Sequence, residues 1–324
     1  MKNRILKIIP YYGKLPVFWD IYMKSVEFNK DVLDVLIVTD IEISEALPAN
    51  VKVEKMSFSQ LQALISAKTG AAIDYHSAYK LCDLKPFLGK VFESQTRGYE
   101  FWAYGDIDLV FGDLKRYLKK EILDAHDIIS FREDWLSGAF SIFRNREDVN
   151  TLYLRSPDWK VIIEKAGNTC FDECCAKYQK LRDGLNPLQC MELNLKGDFY
   201  CWTTVIYAAE KQGLLKVYLR EYVKESLPFD EIIEYRNGKI IAGGGIERAV
   251  YHFVYHKGFA RHIIPDWKGI VPDHYYITTT GLYTKEQMSR YTIIKSWRSF
   301  LGFISDSRKH IQAVYNYRVK GISK

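Results

Sequence analysis

The run Phe101-Trp102-Ala103-Tyr104-Gly105-Asp106-Ile107-Asp108-Leu109-Val110-Phe111 sets two carboxylates, one residue apart, inside an otherwise apolar segment. Residues 99–104 have the aromatic composition of a strand and lead straight into Gly105. A charge inside an apolar segment is costly unless it serves something. Asp106 and Asp108 are therefore expected at a strand end, where a bend in the backbone turns both toward one hard cation. Oxygen ligands suit magnesium or manganese, and a nucleotide diphosphate can fill the remaining positions. A bare D-x-D pair is common in solvated turns, and the apolar flanks distinguish this one.

Outward from this run the pattern alternates. Residues 5–9 and 32–39 are β-branched and apolar, closed by Pro10 and Asp40, as buried parallel strands opening into loops should be. Residues 17–28 predict a helix, and so do residues 57–68, with Ser57 as N-cap and Leu61, Leu64 and Ile65 at helical spacing. Residues 75–92 are helix-like with a break near Pro86. Beyond Asp108 the expectation is a helix at 113–123, strands at 127–131 and 139–143, a helical region from 146 to about 180 and a loop at 182–196. A helix at 202–212 follows, then a hairpin over 231–242 turning at Asn237-Gly238. No repeat or low-complexity linker divides the chain. The expected division is a catalytic domain at 1–285 and a basic amphipathic helix at 286–324, where Ile294, Trp297, Leu301 and Ile304 recur at helical spacing.

With 324 residues, 48% of them hydrophobic, the chain can bury one large core. The net charge of +6 is spread along most of the chain, so nucleic acid is not an expected partner. Cys82, Cys170, Cys174, Cys175, Cys190 and Cys201 lack paired C-x-x-C spacing and read as reduced thiols rather than a disulfide framework or a zinc site. The basic Met1-Lys2-Asn3-Arg4 precedes an apolar run that stops at Pro10, too short for an export signal. No apolar run reaches the roughly 18 residues of a membrane span. A cytoplasmic protein, soluble or peripheral on the membrane, is the expectation.

Three segments share a further pattern: Tyr79-Lys80-Leu81-Cys82-Asp83-Leu84-Lys85-Pro86, the stretch from Trp102 to Leu114, and Gly138-Ala139-Phe140-Ser141-Ile142-Phe143-Arg144-Asn145. Over roughly residues 4–260 the chain resembles bacterial GT-A glycosyltransferases of polysaccharide (capsule, O-antigen or exopolysaccharide) biosynthesis. The resemblance implies a Rossmann-like α/β fold, a mixed sheet flanked by helices, with Mn2+ or Mg2+ on Asp106 and Asp108. It also implies a nucleotide-sugar donor, usually a UDP-sugar, and hexosyl transfer to a saccharide or lipid-linked saccharide acceptor. The opening Ile8-Ile9-Pro10-Tyr11-Tyr12-Gly13 is similar to the first strand and nucleotide loop of that family. Carried over by position, Pro10, Tyr11, Thr39 and Asp40 line the nucleoside pocket, and Lys80 and Asp83 approach the ribose or diphosphate, a solvated helix face being the alternative for those two.

A third metal ligand in the resembling enzymes is a histidine near the end of the catalytic domain, often followed by a lysine that reaches the diphosphate. Tyr251-His252-Phe253-Val254-Tyr255-His256-Lys257-Gly258 fits, offering His252 or His256 as ligand, His252 preferred, and Lys257 for the diphosphate. The protease pattern H-E-x-x-H fails at Phe253. β-branched and aromatic neighbours predict an extended segment with both histidines on one side. Two partly buried, hydrogen-bonding histidines are the alternative.

An inverting transferase needs a carboxylate to take the acceptor's proton, whereas a retaining one does not. Asp172 and Glu173 are the first candidates, although acidic residues also suit a helix's first turn with no catalytic role. Asp134 is the second, with Trp135 available to stack on a sugar ring and Gly138 allowing close approach. The C-terminal amphipathic segment either docks on the inner membrane face near a lipid-linked acceptor or packs on the catalytic domain. Gly243-Gly244-Gly245 lacks the Lys-Ser or Lys-Thr of a phosphate loop and is expected as a flexible loop over the site. Two rival classes remain. A nucleotidyltransferase acting on sugar phosphates would show a basic, glycine-rich loop, of which Pro10-Tyr11-Tyr12-Gly13-Lys14 is a poor version. A non-catalytic carbohydrate-binding protein would have no use for a buried D-x-D.

Overall fold

The computed structural model describes residues 4–173, 201–225, 231–254, 265, 267 and 270–293. The expected loop at 182–196, the helical region beyond 173, His256, Lys257 and the amphipathic segment from 294 onward lie outside them.

Four parallel strands, β1 (Ile5–Pro10), β2 (Leu33–Thr39), β3 (Val51–Lys55) and β4 (Phe101–Gly105), begin the main sheet. Two short runs follow, β5 (Leu109–Phe111) outside this sheet and β6 (Ile128–Ser130) within it. With β7 (Phe140–Arg144) and β8 (Val217–Leu219) the main sheet has seven strands in the order β3-β2-β1-β4-β7-β6-β8. β7 runs antiparallel to both β4 and β6, so the sheet is mixed. β9 (Val223–Lys224), β13 (Val250–His252) and β5 form a separate three-stranded sheet in the order β5-β13-β9. A third sheet, entirely antiparallel, holds β10 (Ile233–Arg236), β11 (Lys239–Ala242), β12 (Ile246–Arg248), β14 (His274–Thr278) and β15 (Gly281–Tyr283). The fold is the mixed α/β class, a parallel and antiparallel sheet flanked by helices.

Strand side chains alternate between faces, and the sequence fills both faces of β1 and β4. Leu6, Ile8, Trp102 and Tyr104 join a core shared with the helices Phe58–Thr69 and Trp202–Lys211. Ile5, Ile9, Phe101 and Ala103 join a second core under the helix Trp19–Phe28. Each such fully buried large side chain contributes roughly 1.5–3 kcal/mol. The helix Phe58–Thr69 starts where expected because Ser57 and Gln60 close a capping box, and it stops at Gly70, whose φ of 70° a side-chain-bearing residue would resist. The hairpin turn has φ of 49° at Asn237 and 78° at Gly238, the geometry that this residue pair favours.

Several expectations need correction. β3 and β5 were not foreseen, being an edge strand of alternating Val, Lys and Glu and a three-residue run after the acidic pair. The helix at 113–123 is replaced by a 3-10 turn, Leu114–Arg116, and a short helix, Lys120–Ala125, because Asn29 accepts the Leu114 amide and Asp113 accepts that of Lys115. Residues 78–87 form a 3-10 helix containing Pro86, which cannot supply an α-helical N–H. The helical region after 146 is broken into Glu147–Asn150, Leu152–Arg155 and Trp159–Glu164. Gly243–Gly245 joins β11 to β12 and does not line the cavity described below. Among the described residues no helix is long and apolar enough to cross a membrane.

Candidate active site

β1 has β2 on one side and β4 on the other, and the chain visits β2 first. The carboxyl ends of β1 and β4 thus open at a topological switch point, where open α/β sheets place ligands. A cavity of about 260 Å³ lies there, walled by Pro10, Tyr11 and Tyr12 after β1, by Cys82 and Lys85, and by Gly105 to Asp108.

The backbone around the acidic pair is held from three directions. The Asp106 amide donates to Ala139 O at 3.0 Å, and the Phe253 amide donates to Asp108 O at 3.0 Å. From beneath, Lys7 Nζ donates to Asp106 O at 2.7 Å. β13 runs antiparallel to β5, with His252 opposite Leu109, and this register carries a distant histidine to the aspartates. His252 Nε2 stands 3.3 Å from Asp106 Oδ2 and 3.7 Å from Asp108 Oδ2.

These three ligand atoms lie within 4.8 Å of one another, and among the described residues they are the one group of three such side chains that could share an ion. Around a divalent ion with bonds of about 2.1 Å, neighbouring ligand atoms stand about 3 Å apart and opposite ones about 4.2 Å. The spacing fits, and so does the chemistry. His252 is buried, and its Nε2 has no hydrogen-bond partner among the described residues. Its Nδ1 faces Glu225 Oε1 at 3.2 Å, the outer-shell carboxylate that fixes a ligating imidazole's tautomer. Arg132 donates to Glu225 at 2.6 Å and holds it in place. Burial would lower the His252 imidazole, yet Asp108, Glu225 and Asp106 outweigh it and push it up to about 10. A cation entering here therefore displaces a proton.

Lys85 forms the opposite wall. Its ammonium spends all three donors, on Asp106 Oδ1 at 2.9 Å, Asp172 Oδ2 at 3.0 Å and Gly138 O at 2.8 Å. Burial works against its charge, but Asp106 and Asp172 prevail and raise it well above the ordinary lysine value. Asp172 is pushed up to about 7 by burial, against the pull of Lys85. Glu173 is raised by burial and by the charge of Glu225, and its Oε1 accepts the Gly138 amide at 2.7 Å. The glycine leaves both carboxylates their places: a Cβ on residue 138 would sit 2.7 Å from Asp172 Oδ2 and 2.9 Å from Glu173 Oε1 and would push them aside.

The structure thus brings together Asp106, Asp108, His252, Asp172, Pro10 and Tyr11. Asp40 is exposed beyond β2 and does not line the cavity, although after burial its charge helps hold the Tyr12 phenol above its ordinary value. Thr39 is buried, and its hydroxyl accepts the Ile41 amide instead of facing the cavity. Lys80 and Asp83 also depart from expectation. Both side chains are fully buried as an ion pair of 2.7 Å and line no part of the cavity. Lys80 donates to Ile162 O and Gly167 O, while Asp83 accepts from Thr169 and Phe171, so the pair anchors the segment leading to Asp172. Asp134 is committed to Arg132 at 3.1 Å, and Trp135, 4% exposed under the Arg132 guanidinium, has no face to offer a sugar. Sequence reasoning missed Lys85 and Glu225. The Lys85-Pro86 step was visible as part of a pattern, whereas nothing local marks Glu225.

No curated protein matches this sequence. Among solved structures, the apo form of mouse xyloside xylosyltransferase 1 is similar at 10% identity and a TM-score of 0.39, covering 83% of this chain and 99% of that one. The glycosyltransferase GlyE of Streptococcus pneumoniae TIGR4 is similar at 11% identity and a TM-score of 0.30, covering 68% of this chain and 46% of that one. The apo form of GlyE is similar at 10% identity and a TM-score of 0.28, with 66% and 50% covered. This chain therefore spans about half the length of the GlyE chains. A family model covers nearly all the elements described above, and by that match over residues 7–286 the chain belongs to DUF6625, a family of unknown function.

Proposed function

We propose that this chain is a metal-dependent glycosyltransferase that moves a sugar from a nucleotide diphosphate donor, a UDP-sugar by the resemblance of its motifs, to a saccharide or lipid-linked saccharide in surface polysaccharide synthesis. The observation that carries the reading is the grouping of Asp106, Asp108 and His252 within 4.8 Å, with both aspartates lining a switch-point cavity. These three would hold Mn2+ or Mg2+. When bound, such an ion supplies Lewis acidity to the departing diphosphate.

The chain's own residues take the remaining roles. Pro10 and Tyr11 close on the nucleoside, and Lys85 keeps positive charge beside Asp106 on the cavity wall. As the anomeric carbon parts from the diphosphate oxygen, which keeps the bonding electrons, the acceptor oxygen bonds to that carbon. Its proton passes to Asp172, whose position near neutrality suits a general base. Of the three candidate bases Asp172 is favoured: it is paired with Lys85, which itself contacts Asp106, and burial still holds it near neutrality, whereas Glu173 accepts the Gly138 amide and Asp134 pairs with Arg132.

The test is thermal unfolding of the purified protein with UDP, GDP or CMP, with and without Mn2+, for the parent and Asp108→Ala. A ligand stabilises only the state it binds. Stabilisation by one nucleotide that needs the metal and vanishes in the variant is expected. No shift with any nucleotide at saturation would overturn the reading.

A further inference from the structure

Lys7 lies in the interior of β1 and is 0% exposed, a position where the sequence otherwise writes isoleucine and leucine. Its ammonium has two polar partners, Asp106 O at 2.7 Å and Tyr22 OH at 3.1 Å. The rings of Tyr22 and Phe111 stand 4.8 and 4.9 Å from it. Ala103 is its cross-strand partner, and Gly105, where a Cβ would run into Ala139 O, also leaves room for Lys7 Cε, 3.0 Å from that Cβ position. A buried amine costs several kcal/mol relative to an aliphatic side chain, so its retention calls for a task. The pairing of β4 with β7 ends at Gly105, which leaves the Asp106 carbonyl beyond the ladder. Of the three groups that hold the backbone of the acidic pair, Lys7 alone is a side chain, the others being Ala139 O and the Phe253 amide.

We propose that Lys7 is a positioning residue for the cation site: by gripping the Asp106 carbonyl from beneath the sheet, it sets the bend that aims both carboxylates at one ion. The proposal rests on the cation reading above. Charge and geometry predict opposite outcomes here, which makes the role testable. Burial lowers the Lys7 amine to about 7, and in its charged form it opposes a cation, so on charge alone removing it should leave binding equal or tighter. As the clamp on the carbonyl, it supports binding, and removing it should weaken it.

The experiment measures Mn2+ affinity of the full chain by calorimetry, alongside melting of the metal-free protein, for the parent and Lys7→Met. Methionine fills the aromatic slot without a polar group. Positioning predicts affinity weaker by about tenfold or more, the usual range for an outer-shell partner, with the metal-free melting temperature unchanged or raised. Equal or tighter binding overturns the proposal. Tyr22→Phe leaves the carbonyl bond intact and should stay within about threefold of the parent; a loss as large as that of Lys7→Met would assign the effect to packing and also overturn it. Should Lys7→Met not fold, Lys7→Gln, whose amide ends one bond short of the carbonyl, is judged by the same criterion. A parent that binds no Mn2+ would instead remove the cation reading itself, and this role with it.

Discussion

Asp83→Asn separates a ligand contact from an internal anchor. The Lys80 and Asp83 side chains are both 0% exposed. Asp83 Oδ2 accepts Lys80 Nζ at 2.7 Å, the Thr169 amide at 2.8 Å and the Thr169 hydroxyl at 3.0 Å, and Oδ1 accepts the Phe171 amide at 2.8 Å. Three of the four partners are N–H donors, so whichever way an asparagine amide turns, its NH2 meets at least one N–H, and the Thr169 hydroxyl is the one partner able to rotate and accept from it. Lys80 meanwhile loses its carboxylate partner and retains the carbonyls of Ile162 and Gly167. Removing one member of a buried pair costs about 3–5 kcal/mol. At roughly 2–4 °C per kcal/mol for a domain of this size, melting should fall by about 6–20 °C. Circular dichroism of the metal-free protein reads that directly, and nucleotide affinity is then measured well below both melting points. An unchanged melting temperature combined with a tenfold loss of nucleotide affinity would refute the anchor role and return the pair to the ligand.

Two further outcomes follow from the wall opposite the cation site. In Gly138→Ala the new Cβ would press on Asp172 and Glu173 at 2.7 and 2.9 Å, so the transfer rate should fall about 100-fold, as misplacement by an ångström can cause, while melting moves by only about 1–3 kcal/mol equivalent; steady-state kinetics with calorimetry check this. With Asp172 as base, only its ionised form accepts a proton, so the transfer rate should climb with pH through about 7 and level off above it; a profile that stays flat from acid to neutral pH would remove Asp172 from that role.

The parts of the fold legible in the sequence were those with local causes. Ser57 and Gln60 begin a helix, Asn237-Gly238 turns a hairpin, and the apolar runs of β1, β2 and β4 suit a buried parallel sheet on both faces. Strand β3 escaped because an edge strand that alternates Val with Lys and Glu carries half the apolar signal of a central one. Residues 113–123 failed as a helix because Asn29, from a different element, takes the Leu114 amide, and no local pattern encodes that competition. Lys80 and Asp83 failed as ligand contacts for the opposite reason. Their spacing permits an i,i+3 pair on a surface and an identical pair in a core, and only the segment folded over them, residues 162–171, decides between the two.

The acidic pair was legible because a carboxylate among aromatic residues has no inexpensive structural explanation, whereas the groups that balance it were not. Asp106 is divided between two partners: Oδ1 faces the Lys85 ammonium at 2.9 Å, and Oδ2 faces the His252 edge at 3.3 Å. Lys85 therefore faces one side of Asp106 and part of Asp172, and the side shared by Asp106 and Asp108 faces the His252 edge, which holds a proton until a cation displaces it. A divalent ion that takes the place of the His252 proton would leave its positive charge at the aspartates, where a diphosphate would be drawn to it. The charge arrangement thus ties the entry of a cation to the loss of the His252 proton. It also explains why Glu225 and Arg132, hidden in unmarked sequence, matter: they keep His252 Nδ1 occupied, so that Nε2 is the nitrogen turned toward the aspartates.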